Sequence, residues 1–350
     1  MNLQKNHILL FIAFIIFIVL SAFLSIPIFS KADLFFGSAW DLISLFLVNV
    51  SAYLLFMAVF GFIKQSNTDF FYFKLIWIQE ILIILGFIGF GIGLVFMYEG
   101  MYQPPPPGVD PTAQLVSSTA IALITIIYGF FGATGFYLVQ KYYEFKGYKH
   151  KAVEIATPKE GLQFQTIIYF TIFTGILLFS SYMASLDAGV KLKNIFTFEA
   201  LIFVIGINII FIFLYDGNYL KLFKNIFWYN SESVSTIQYN LKFIRNMKII
   251  LSIVIGLILI ITQLVVLASL GADNNLEVIV LVIENILIYY VIVTLLILMT
   301  DVIEAKEVGK LYLLTGEVSL GNRFFVITYI LPPAILLYII LMLTIYWTTL

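Results

Sequence analysis

The chain has 350 residues, of which 62% are hydrophobic and only 11% charged, with a net charge of -1 and a mean hydropathy of +1.04. That composition excludes a soluble globular domain and gives no reason to expect nucleic acid as a partner. With no cysteine, disulfides, Cys-ligated zinc and iron–sulfur clusters are excluded as well.

Nine apolar stretches are each long enough to cross a bilayer, running roughly over residues 7–29, 38–63, 74–98, 114–140, 165–186, 195–216, 248–270, 276–300 and 325–348. A spanning helix needs about 20 apolar residues, because the hydrocarbon core is about 30 Å thick and each residue rises about 1.5 Å. The expected fold is therefore an all-α integral membrane protein of about nine transmembrane helices. The first stretch exceeds a typical signal-peptide core and lacks a convincing small-residue cleavage site after it, so it reads as a retained helix.

Lys and Arg accumulate on the cytoplasmic side of short loops. With the N-terminus inside, only Lys31, Lys191 and Lys193 of the 19 basic residues fall outside. The expected orientation is N-terminus in and C-terminus out, in a prokaryotic cytoplasmic membrane. Trp40, Trp77 and Trp347 fall near predicted span ends, where interfacial indoles belong. His7 and His150, the only histidines, sit on separate segments near the inner surface, which argues against a bis-histidine haem.

In the third span, Gly86, Gly89 and Gly93 recur every three to four residues, so all three share one helix face where a neighbouring backbone can approach. The fourth span answers with Ser118, Ala122, Thr125, Gly129 and Gly132, and the two faces are expected to pack together. Gly89, Gly91 and Gly93 superficially match a nucleotide-binding glycine pattern, but no strand precedes them. The run from Leu85 to Leu94, followed by Ala122 to Gly129 and Ala133, resembles the last two helices of the flagellar stator and biopolymer-transport proton-channel family (MotA/TolQ/ExbB). The resemblance covers about 60 residues. It implies helices that line an oligomeric channel around a partner's single helix, with ion flow driving motion. Two family threonines are replaced here by Phe90 and Ile126, with Thr125 one residue early, and the family's large cytoplasmic insertion is reduced to the short stretch between Lys64 and Lys74.

The outer loop from Tyr98 to Thr112 carries Pro104, Pro105, Pro106, Pro107 and Pro111, which favours a stiff extended spacer. The inner stretch from Asn218 to Asn246 reads as the longest connection. In it Leu220, Phe223 and Phe227 alternate with Lys221 and Lys224, as in an interfacial helix on the inner leaflet. Pro332 and Pro333 should kink the ninth span.

Spans one to four and five to eight share a rhythm. Laying Tyr128 on Tyr290 also lays Gly147 on Gly309, and Asp41 and Asn49 find counterparts in Glu199 and Asn208. The reading is two tandem four-helix units, residues 1–160 and 161–315, followed by an additional C-terminal helix in 316–350; general similarity among helical hairpins is the competing account.

Carboxylates within spans are functional candidates, because charge is costly in hydrocarbon. Glu80 lies near the inner face of the third span. Glu284, with Asn285 beside it, lies toward the outer face of the eighth, where Gln263 of the antiparallel seventh span reaches a similar depth. The ion-pathway candidates are Glu284, Gln263, Glu80 and Thr125, and Glu80 has the alternative of snorkelling toward Lys74. Asp41 and Glu199 read as solvated, and Asn49 and Asn208 as hydrogen-bond glue between helices. No nucleophile–base pair, metal cluster or phosphate loop is visible, so an enzyme reading is not favoured.

Two functions lead, ahead of a small-molecule transporter for which no substrate-site signal is visible beyond the carboxylates: an ion-channel-like or stator-like component coupling protons or sodium, or a non-catalytic integral subunit of a larger complex, such as a respiratory one, with quinone or lipid between its helices. Either brings the lipid bilayer and other membrane subunits, or further copies of the chain, as partners.

Overall fold

The computed structural model describes residues 42–61, 63, 67–100, 111–147, 160–187, 198–215, 219–270 and 276–318. The expected first and ninth spans, the proline-rich loop, the 332–333 prolines, both histidines, Trp40, Trp347 and Asp41 lie outside them, as do the side chains of Ser118, Glu199 and Gln263.

The described chain is almost entirely helical. Helix α1 runs through Leu42–Leu45, a π-helical turn at Phe46–Val50 and Ser51–Phe60. It is followed by α2 (Thr68–Gly100), α3 (Pro111–Phe145), α4 (Phe164–Asp187), α5 (Phe198–Leu214), α6 (Tyr219–Phe227), α7 (Val234–Leu270) and α8 (Leu276–Thr315). A two-residue antiparallel ribbon joins β1 (Gly161–Leu162) to β2 (Trp228–Tyr229). Among the described residues, five helices are long and apolar enough to cross a membrane: Ile43–Phe60, Thr68–Phe96, Ala122–Phe145, Phe164–Ser185 and Ile283–Thr315.

Helix α2 is the hub, packed along α3 on one side and α8 on another, while α7 lies against α8. Its buried side chains, among them Ile81, Leu82, Ile84, Leu85, Ile88 and Phe90, form the core of the bundle. The glycine faces set how closely α2 and α3 approach. A Cβ on Gly129 would lie 2.7 Å from the Leu82 carbonyl oxygen, one on Gly93 2.7 Å from the Ala122 Cβ, and one on Gly86 3.1 Å from the Thr125 carbonyl oxygen. Gly89 faces Thr125 and Leu47, and Gly132 faces Asn49 and Leu82. Backbone-to-backbone contact of this kind is what small residues provide where no hydrophobic effect drives helices together.

Several sequence expectations are corrected. Helices α7 and α8, at 37 and 40 residues, are each about 55 to 60 Å long and far exceed the hydrocarbon thickness. Residues 234–246, expected as part of a long connection, belong to α7, and residues 301–315 continue α8. Helix α6 is amphipathic, but it docks on protein: Leu222 and Ile226 are fully buried against the bundle, Phe223 and Phe227 partly so, and Lys221 and Lys224 point outward. Trp77, expected at the membrane interface, is buried and donates its indole N–H to the Asp301 carbonyl, 3.3 Å away. Gly147 closes α3 with φ +59°, whereas Gly309 sits inside α8, which ends instead at Gly316 with φ +72°. The aligned pair thus differs in role, and each positive φ falls where a helix must stop.

Candidate functional site

The ends of α1, α3, α5 and α8 meet the starts of α2, α4 and α7 at one end of the bundle, and most of the buried charge is there. Asn67, between α1 and α2, caps α2 by accepting the Phe70 N–H at 2.8 Å. Its own backbone N–H donates to the Tyr312 hydroxyl at 2.7 Å and its side-chain amide to the Gly316 carbonyl at 3.1 Å, tying α2 to the end of α8. Phe70 stacks on Tyr312 with centroids 4.2 Å apart.

The last turns of α8 supply Asp301, Glu304, Lys306, Glu307 and Lys310, whose three-residue steps turn charge both toward α7 and toward α6. On the α7 side, the Lys248 ammonium pairs with both Asp301 and Glu304, and Arg245 reaches Glu304 at 3.2 Å. Lys248 and Asp301 are almost wholly enclosed, with side-chain exposures of 8% and 1%. On the α6 side, Glu307 is fully buried and accepts from Lys310 at 2.7 Å, Asn225 at 3.2 Å and Asn240 at 2.9 Å. The Tyr215 hydroxyl at the end of α5 donates to the Asn240 carbonyl oxygen, which orients the Asn240 amide N–H groups toward Glu307 and Glu232.

Lys306 ties three elements together. Its ammonium donates to Gln163 Oε1 at 2.9 Å, to Thr166 Oγ1 at 3.2 Å and to the Ile226 carbonyl. Thr166 in turn donates to the Ala58 carbonyl at the end of α1. Beside this lattice the β1–β2 ribbon is held by the Gln163 N–H on the Phe227 carbonyl and by Glu160, which accepts from the hydroxyl and N–H of Ser231. Those two bonds hold the Glu160 carboxyl below its ordinary value, while burial, with Glu160 as a lesser cause, pushes the Tyr229 phenol up.

Sequence reasoning placed Arg245, Lys248, Lys306 and Lys310 at the inner surface as orienting charges; the three lysines are instead buried structural members. Of the residues singled out as an ion pathway, the described side chains of Thr125, Glu80 and Glu284 take separate places in the bundle. Thr125 is buried, and its hydroxyl donates to the Ala122 and Gly86 carbonyls at 2.7 and 3.1 Å, closing the α2–α3 seam. Glu80 is half-buried on α2, one turn beyond Trp77 and so near the level of Asp301. Lys74 turns to the Ile63 carbonyl at 3.4 Å and over the rings of Phe60 and Phe70. Glu284 is half-buried about 25 Å from Asp301 along α8, and the Gln263 side chain lies outside the described ones. Asn49 projects from the π turn of α1 toward Gly132, its amide oxygen buried and without a hydrogen-bond donor among the described residues. Asn208 donates to Val204 within its own helix.

No group of three or more His, Asp or Glu residues suited to a metal occurs among the described residues. Comparison with family models, curated proteins and solved structures gave no match.

Proposed function

We propose that the chain is a non-catalytic integral subunit of a larger membrane assembly, serving as a rigid helical body against which partner subunits pack. The observation that carries this reading is the closed α2–α3 seam. There the Thr125 hydroxyl, the group that the stator-family resemblance would enlist in an ion route, is spent on the Gly86 and Ala122 carbonyls between backbones in contact. The buried ionic lattice fits the same role, because it welds α4, α6, α7 and α8 at one end rather than presenting reactive groups to a substrate.

In this reading the five apolar helices long enough to cross a membrane belong to a nine-span protein with its N-terminus inside. Two tandem four-helix units, 1–160 and 161–315, precede a further helix in 316–350. Two antiparallel pairs of long helices, α2–α3 and α7–α8, joined through α2 and α8, support the tandem arrangement. Extraction of the native protein in mild detergent, followed by mass spectrometry of what co-purifies, tests the reading through the presence of stoichiometric membrane subunits.

A second reading, an ion-coupled component akin to the stator and biopolymer-transport channels, is favoured by Glu284. This carboxylate is half-buried on α8 at the start of the apolar stretch Ile283–Thr315, where a charge is costly and a proton carrier would serve ion coupling. Replacing Glu284 with Gln keeps the hydrogen-bonding shape but removes titration, so it abolishes proton flux in reconstituted vesicles under this reading and changes nothing under the first.

A further inference from the structure

Helix α6 lies where two apolar stripes stop. The outward residues of α5 run through Ile205 and Ile209 to Phe213, which is 80% exposed, and those of α4 begin at Phe164, 71% exposed. Leaving such rings in water costs about 25 cal/mol per Å², so they belong among acyl chains. Helix α6 joins these two ends. It starts at Tyr219, soon after α5 stops at Leu214, and its last residue, Phe227, accepts the N–H of Gln163, the residue just before α4. The helix therefore sits at the level where apolar surface gives way to polar, which in a spanning protein is the level of the lipid headgroups.

The two sides of α6 differ. Leu222 and Ile226 are buried against the bundle, whereas Lys221 and Lys224, one turn apart, face away from it. The Lys224 ammonium lies over the Trp228 ring, 4.9 Å from its centroid, and Trp228 pairs across the ribbon with the exposed Leu162. Lys221 is 57% exposed; its distance of 3.9 Å to the enclosed Glu232 is too long for a hydrogen bond, and Glu232 also faces Lys310 at 3.9 Å. Tyr239 lines the recess beside Lys221, and Lys242, one turn along α7 from it, is exposed. Among the described residues on this side, these three exposed lysines stand against one exposed carboxylate, Glu160, which already accepts from Ser231. Exposed lysines, an indole and bare phenyl rings at one level form the pattern of an anchor on an anionic membrane surface.

We propose that the outward face of α6 binds the headgroup phosphates of anionic phospholipids. Lys221 and Lys224 hold the phosphates, Trp228 lies beside them, and Phe164 and Phe213 enter the acyl layer. The flanking apolar stripes favour a lipid over an acidic protein segment, because the occupant must meet ammonium groups and bare phenyl rings together. The inference rests on the membrane-spanning reading and holds for either function proposed above.

The test titrates the full chain, in a neutral detergent, with phosphatidylglycerol or with phosphatidylcholine of the same acyl chains. Bound lipid is counted by native mass spectrometry, and thermal stability is followed in parallel. Phosphatidylglycerol should bind saturably, stabilise more than phosphatidylcholine, and lose that advantage at high salt. Lys224→Gln should weaken phosphatidylglycerol binding about fivefold, and Lys221→Gln with Lys224→Gln about 25-fold, the scale of one basic residue and of two near an anionic surface. Both variants should unfold at the unaltered temperature in lipid-free detergent, and Lys141→Gln, an exposed change at the end of α3, should leave lipid affinity unchanged. Equal binding of the two lipids, unchanged affinity in the double variant, or an equal loss in Lys141→Gln would overturn the proposal. Loss of a co-purifying protein in the double variant, without any lipid preference, would also overturn it and assign the face to protein. Uptake of neither lipid would overturn the membrane-spanning reading along with it.

Discussion

Replacing Lys248 with Met removes the cation that two carboxylates share. Asp301, with a side chain only 1% exposed, then has its negative charge enclosed with its ion-pair partner gone, whereas Glu304, at 14%, keeps Arg245 at 3.2 Å. Breaking a buried pair by removing one member costs about 3 to 5 kcal/mol, and the retained Arg245 contact puts the expected loss near the lower end, about 3 kcal/mol. Removing Asp301 as well, in Lys248→Met with Asp301→Leu, takes away the stranded charge and should return stability to within about 1 kcal/mol of the unaltered protein. Reversible unfolding in mixed micelles with increasing denaturing detergent gives both differences. A Lys248→Met loss below about 1 kcal/mol would show that water reaches the cluster, and a double variant no better than the single one would show that the charges do not act as a pair.

The α2–α3 seam predicts that Gly129→Ala destabilises by about 1 to 3 kcal/mol, since its Cβ would sit 2.7 Å from a backbone oxygen that cannot rotate away. Gly206→Ala on α5, with open space around it, should be neutral or stabilise by up to about 1 kcal/mol; equal effects at the two positions in the same unfolding assay would refute the close approach. Acid should loosen the β1–β2 ribbon. The Glu160 carboxyl lies lower in the folded chain than its ordinary 4.5, so the stability it contributes is complete above that value and is lost as pH falls through the lower folded one. Amide exchange at Ser231, corrected for intrinsic rate, should rise over that acid range and become insensitive to it in Glu160→Gln. For orientation, a cysteine introduced at Pro106 should react with an impermeant reagent from outside intact cells, and one at Lys149 should not.

The apolar spans were legible because hydrocarbon imposes a length and a composition on each crossing segment, and the paired glycine faces of α2 and α3 were legible because small residues at three- and four-residue steps line up on one face. The true lengths of α7 and α8 were not. Residues 234–247 set exposed polar positions such as Gln238, Lys242 and Asn246 among buried Ile237, Leu241 and Ile244, so no continuous apolar run marks them, and the charges of 301–315 read as a solvated loop although Asp301, Lys306, Glu307 and Lys310 are buried. The charge count that orients the chain also treated every lysine as a surface group, which hid Lys248, Lys306 and Lys310. A usable signal did exist: Asp301, Glu304, Glu307 and Lys310 recur at three-residue steps among Val302, Ile303, Ala305 and Val308, a charged ridge on an otherwise apolar helix. Its partners could not be read from sequence, because Gln163, Asn225, Glu232 and Asn240 come from separate segments that only the fold brings together.

The most direct test of the proposed role is the mass and composition of the native particle after extraction in mild detergent. Native mass spectrometry should find the 39.8 kDa chain in a stoichiometric complex with other integral membrane subunits, and its reconstituted form alone should pass no protons. A particle containing only this chain, conducting protons in vesicles and silenced by Glu284→Gln, would contradict the subunit account and establish the ion-coupled one.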